Sequence, residues 1–104
     1  MSGWFFCMKK NRLYVLIRKD MKKAYQAVQA GHAVAGFVLR YPFWRNETLI
    51  YLNVANEKSL KGYHEKLGNF YRFAFYEPDK NYEMTALAVF DNNRRRFRHL
   101  KLMK

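Results

Sequence analysis

Leu13-Tyr14-Val15-Leu16-Ile17, closed by Arg18-Lys19-Asp20, is the stretch on which the fold turns. An apolar run this short, bounded by charge and lacking a polar face, reads as a strand buried on both sides. Such a strand lies inside a sheet with other elements packed above and below it. Downstream, Ala24, Ala27, Val28, Gly31, Ala35, Val38 and Leu39 recur at helical spacing as far as the break near Pro42, with Asp20 as the expected cap. Gly31 on that stripe suggests close approach of helix to sheet. Thr48 to Val54 reads as a second strand, and Asn56 as the cap of a second helix that runs to about Leu67 and stops at Gly68. Residues 70–76 and 85–90 are β-favouring and flank the turn-rich Glu77-Pro78-Asp79-Lys80-Asn81. The order β-α-β-α-β-β predicts one α/β domain over residues 1–104. Its expected form is a three-layer α/β/α arrangement around a four-stranded mixed sheet, strands 1 to 3 parallel and strand 4 antiparallel.

Charge narrows the function. Lysine and arginine number 20 against 8 acidic residues, a formal charge of +12 in 104 residues. Half the residues are apolar and 18% aromatic, so the chain is built to pack and is not a disordered polycation. A polyanionic partner is the expected match, since neutralising phosphates releases condensed counterions. Nucleic acid is favoured over an anionic membrane surface, and no apolar run approaches the ~20 residues of a membrane span. The tail from Arg94 to Lys104 carries six basic residues and no acid. Cys7 is the single cysteine, which excludes an intramolecular disulfide and a multi-cysteine zinc site. A reducing compartment fits, and the cytoplasm is the expected location.

Ligands of open α/β sheets bind beyond the carboxyl ends of the parallel strands. Connectivity brings three segments there: residues 18–23, the turn holding Ala55 and Asn56, and the loop between strands 3 and 4. A strand 4 that runs backwards returns Thr85 to the same edge, near Glu77 and Asp79. The first turn of helix 1 carries Lys22 and Lys23 against the helix dipole, which opposes positive charge there by about 0.3 to 1 kcal/mol. An anion or oxyanion at that turn would explain the placement, while exposed lysines also tolerate so small a penalty. The rim is therefore expected to border a positively charged pocket. Gln29 and His32 lie one turn apart near the edge of the apolar stripe and are expected to be half-buried. The three histidines lack metal-ligand spacing, and no cofactor motif occurs, so neither metal nor cofactor is expected.

Lys23, Gln29-Ala30-Gly31-His32-Ala33, Met84-Thr85-Ala86-Leu87-Ala88-Val89 and the closing His99-Leu100-Lys101-Leu102 form an ordered set of words. In combination they resemble the second, archaeal and eukaryotic-type, peptidyl-tRNA hydrolase family. The resemblance spans almost the whole chain after the first dozen residues, and its specificity lies in the order of the words. It implies hydrolysis of the ester between a peptide, or N-blocked aminoacyl group, and tRNA. It also implies catalytic roles for Lys23, Thr85, His32 and a carboxylate matched by Asp79. The family has Asp-Ala-Gly and a longer loop where this chain has Glu77-Pro78-Asp79-Lys80-Asn81-Tyr82-Glu83. Lys22, Gln29, Asn56, Lys19, Arg94, Arg95, Arg96 and Arg98 are the expected substrate-binding set, with Lys9, Lys10 and Arg12 beside them on the tRNA backbone. A non-enzymatic RNA-binding module on the same fold remains an alternative. So does a protein-interaction domain, which the aromatics Trp4, Phe5, Phe6, Phe43 and Trp44 would suit. Pairing of two copies into a homodimer stays open.

Overall fold

The computed structural model of the chain describes residues 11–93 and 95–104; Lys9, Lys10, Arg94, Cys7 and the aromatics Trp4, Phe5 and Phe6 fall outside them. β1 (Arg12–Arg18) is buried along nearly its whole length, as its unbroken apolar run requires. α1 (Lys23–Arg40) follows, then β2 (Thr48–Val54), α2 (Glu57–Lys66), β3 (Arg72–Glu77) and β4 (Glu83–Asp91). The sheet order is β2-β1-β4-β3, with β1 paired parallel to β2 and β4 antiparallel to both β1 and β3. Strands β1, β2 and β3 thus point the same way, yet only β1 and β2 are parallel neighbours. β4 is inserted between β1 and β3, because a hairpin partner must lie beside β3 and the central slot next to β1 buries its apolar run on both faces.

Alternation along β1 sends Leu13, Val15 and Ile17 to one face and Tyr14 and Leu16 to the other. Ala30, Ala33 and Phe37 of α1 cover the first face, and Leu60 of α2 covers the second together with Leu67 and Phe97. Asn56 caps α2 by accepting the Ser59 N–H at 3.0 Å, and Gly68 at φ 57° takes the left-handed turn that ends it. Residues 101–103 run antiparallel along the outer edge of β2: the Asn53 N–H donates to Lys101 O, and the Met103 N–H to Tyr51 O.

Four local expectations are overturned. The regularly spaced residues Ala24, Ala27, Val28, Gly31, Ala35, Val38 and Leu39 face solvent, Leu39 being 85% exposed. The buried face of α1 is Gln26, Gln29, Ala30, Ala33 and Phe37. Two glutamines favour this rotation, because both side chains are buried and each finds the hydrogen-bond partners that burial requires. Gln26 donates to Met21 O at 2.7 Å and accepts from Asn53 Nδ2 at 2.9 Å. Asp20 does not cap α1; the cap position is Lys22, without a side-chain hydrogen bond, while the Asp20 carboxylate binds Arg18. Trp44 is buried in the α1-side core, whereas Phe43 is partly exposed.

The close approach of helix to sheet occurs at Gly36 and not at Gly31, which has open space around it. A Cβ at position 36 would lie 2.1 Å from Phe73 Cε2. In an open helix, Gly→Ala gains about 1 kcal/mol. Overpacking of this kind costs about 1 to 3 kcal/mol. Gly36→Ala is therefore expected to lower stability in urea denaturation, and to raise it in a Phe73→Ala background, where the ring is gone.

Candidate functional site at the rim between helix 1 and the strand 3–4 hairpin

The carboxyl ends of β1, β2 and β3 and the first residues of β4 share one edge, with Glu77 paired to Glu83 across the hairpin. The register slips there: Phe75 faces Ala86 but Tyr76 faces Met84, so Thr85 is an extra residue, a β-bulge. The bulge turns Thr85 toward α1, on the same side as Ala86, and away from Met84, which packs on the α2 side. Thr85 and Gln29 are both fully buried. The Thr85 hydroxyl donates to Gln29 Oε1 at 2.6 Å, and Gln29 Nε2 donates to Glu77 Oε1 at 2.8 Å. Glu77 Oε2 accepts the Asp79 N–H at 3.1 Å, which opens the short 3-10 turn Pro78–Lys80. One buried amide thereby ties the helix to both strands of the hairpin, and the hairpin carries Asp79 into solvent. Asn81 and Tyr82 follow at φ 53° and 59°, left-handed values that a bulky tyrosine rarely adopts.

On the α2 side of the same edge, the Arg18 guanidinium is buried. Its Nε and Nη2 bind the two oxygens of Asp20 at 2.9 and 3.1 Å, and its Nη1 reaches Glu83 Oε1 at 2.7 Å and Met84 O at 3.2 Å. Glu57, in the first turn of α2, accepts the Met84 N–H at 2.9 Å. Asp20, Glu57, Glu77, Asp79 and Glu83 thus gather around one edge, so the rim mixes carboxylates with Arg18, Lys22, Lys23 and Lys80 and is not the cationic pocket expected. The sequence conceals this because its carboxylates are scattered over residues 20–83 and only the hairpin and helix termini bring them together.

The Gln29 amide and then the Asp79 N–H hold the Glu77 carboxyl below the usual carboxylate range, with a smaller electrostatic contribution from His32. Arg18 does the same for Asp20, and the Met84 N–H for Glu57, while Asp20 and Glu83 hold Arg18 above its ordinary value. The Tyr25 phenol is raised, first by desolvation and then by the negative charges of Glu77 and Asp79. A carboxyl whose pKa is lower folded than unfolded adds stability above the unfolded value, about 4. That stability fades as pH falls through the folded value. Urea midpoints are therefore expected to drop below about pH 4. In Glu77→Gln, which keeps the side chain's size but removes the charge and one of its two accepting oxygens, this acid limb should be shallower.

The remaining expected residues separate. Lys22 and Lys23 are exposed at the start of α1. His32 is exposed, not half-buried, and stacks on Phe75 with centroids 4.6 Å apart. Asn56 is engaged as the α2 cap. Arg95 and Arg98 line a hollow on the α2 side with Arg12, and Lys19 lines the neighbouring one. Arg96 is turned elsewhere: its Nε binds the buried Asp91 carboxylate at 3.0 Å and its guanidinium lies 4.4 Å from the Phe70 ring centre. Arg18 and Glu83 were not singled out, since a charged residue at either end of an apolar run reads simply as the strand's boundary. Ala30, Ala33 and Phe37 at helical spacing, preceded by Gln26 and Gln29, were the signal that could have placed the glutamines inside.

Among the described residues no group of three or more His, Cys, Asp or Glu side chains could hold a metal ion, and no helix is long and apolar enough to cross a membrane. No protein-family model matches the chain, and no curated protein is recognisably similar to it.

Proposed function

We propose that the chain hydrolyses the ester joining a peptide, or N-blocked aminoacyl group, to tRNA, at the rim where α1 meets the β3–β4 hairpin. The observation that carries this reading is the buried bridge from Thr85 through Gln29 to Glu77. It joins two of the positions on which the resemblance to peptidyl-tRNA hydrolases rests, Gln29 and Thr85, through Glu77 to the turn bearing Asp79. In the proposed reaction Asp79 takes a proton from a water that attacks the ester carbonyl carbon. The Lys23 ammonium and the free N–H groups of the first turn of α1 stabilise the oxyanion that forms. Collapse breaks the bond to the ribose oxygen, which leaves with a proton, giving free tRNA and a peptide carboxylic acid. Thr85 and Gln29, sealed from solvent, act here as positioning residues that hold the hairpin against the helix. His32, exposed beside Phe75, borders the same rim.

Incubation of the purified chain with peptidyl-tRNA tests the proposal: release of peptide supports it, and an intact ester at enzyme excess sinks it. A second reading, an RNA-binding module without turnover, draws on the burial of Thr85 and Gln29, which keeps both from touching a substrate. Binding of the same tRNA with no release would favour that reading.

A further inference from the structure

We propose that the face made by α2 and the C-terminal segment, on the side of the sheet opposite α1, seats the ribose-phosphate backbone of RNA and leads it to the rim at Lys19. The inference shares the premise that tRNA is the partner but does not depend on hydrolysis. Three adjoining hollows carry it. The first, about 630 Å³, sets Arg12, Arg95 and Arg98 around an apolar floor that includes Phe97 and Leu100. The second, about 400 Å³, is lined by Lys19, Lys101 and Lys104 and shares Leu100 and Leu102 with the first. The third, about 530 Å³, holds Lys58 and Lys66 beside Tyr63 and shares His99 with the second. No carboxylate lines any of the three. The rim differs: Asp20 and Glu83 pair with Arg18 there, and Glu57 and Glu77 accept backbone N–H groups, whereas the three hollows are lined by cations and no acid.

The backbone of the C-terminal segment that bears several of these cations is also held in place. The Asn53 N–H binds Lys101 O at 2.9 Å, the Met103 N–H binds Tyr51 O at 3.0 Å, and the Leu100 N–H binds Phe97 O at 2.9 Å. Tyr63 Oη and His99 Nε2 share a hydrogen bond of 2.7 Å that fastens the segment to α2. A tail already ordered loses little freedom when it grips a ligand. A row of cations in hollows that no carboxylate lines matches a repeating anion, and each phosphate neutralised releases counterions. Lys19 belongs both to the second hollow and to the turn that follows Arg18, so the row runs up to the rim.

The test uses a deacylated tRNA transcript, so failure of hydrolysis has no bearing on it. Three pairs of exposed side chains are neutralised in turn: Arg95→Gln with Arg98→Gln, Lys101→Gln with Lys104→Gln, and Lys58→Gln with Lys66→Gln. Arg40→Gln with Arg45→Gln, at the far end of α1, removes the same charge elsewhere. Each of the three pairs is expected to weaken binding about tenfold or more and to lower the slope of log K against log salt by about 2. The α1 pair should change affinity by less than about threefold and leave the slope near its original value. Equal losses from all four pairs would reduce the effect to net charge and overturn the proposal. So would a wild-type chain that binds phosphatidylserine vesicles and not tRNA.

Discussion

Replacing Asp79 with asparagine is expected to slow release of peptide from peptidyl-tRNA by about 10² to 10⁴-fold, the usual contribution of a positioned general base. The urea midpoint should hardly move, because the side chain is exposed and the contact that shapes the turn is made by the backbone N–H, which asparagine retains. Lys23→Ala should act in the same direction, by about 10² to 10³-fold, if its ammonium faces the developing oxyanion. Single-turnover rates with enzyme in excess separate these effects from weaker binding. Rates unchanged in both variants would move the chemistry away from this rim, whatever the wild-type activity.

The second large effect is on stability. Gln29→Leu keeps much of the side-chain volume but leaves the Thr85 hydroxyl without its acceptor and Glu77 without the amide donor. A loss of about 2 to 3 kcal/mol is expected for a fully buried site of this kind. Thr85→Val alone leaves the Gln29 carbonyl unpartnered. The double variant Gln29→Leu with Thr85→Val removes both halves of that bond, and should be less destabilised than the sum of the two single changes. Additivity in a denaturation cycle would mean that the two side chains do not act together. Because the amide joins helix to hairpin, the single Gln29 variant should also lose hydrolytic activity, and it should do so under conditions where it is still folded.

Much of the architecture was legible because single residues speak loudly about strands and turns. The apolar run after Arg12 could only be an interior strand, and Asn56 and Gly68 mark the two ends of α2 as their chemistry predicts. The rotation of α1 was not legible. Spacing of apolar residues supports two phases on this helix, and the one that includes Gln26 and Gln29 wins through hydrogen bonds that form only when Asn53, Glu77 and Thr85 arrive from distant parts of the chain. The position of β4 between β1 and β3 likewise depends on a choice between neighbours that connectivity leaves open. At the site, the nearness of Thr85 to Glu77 followed from topology. The bulge that aims Thr85 at α1 did not, since it is a one-residue slip in pairing and has no signature in residues 83–86. The composition of the basic tail pointed to a grip on the tRNA backbone but gave no sign that residues 101–103 would pair with the edge of β2.

That last contact bears on how the protein can be handled. Residues 101–103 occupy hydrogen-bonding groups on the margin of β2 that would otherwise be open to another molecule. A chain cut before Lys101 would offer Tyr51 and Asn53 as a template for strand addition, flanked by Leu49, which is already partly exposed. Concentrating such a shortened protein should yield oligomers or precipitate well before any change in its melting behaviour.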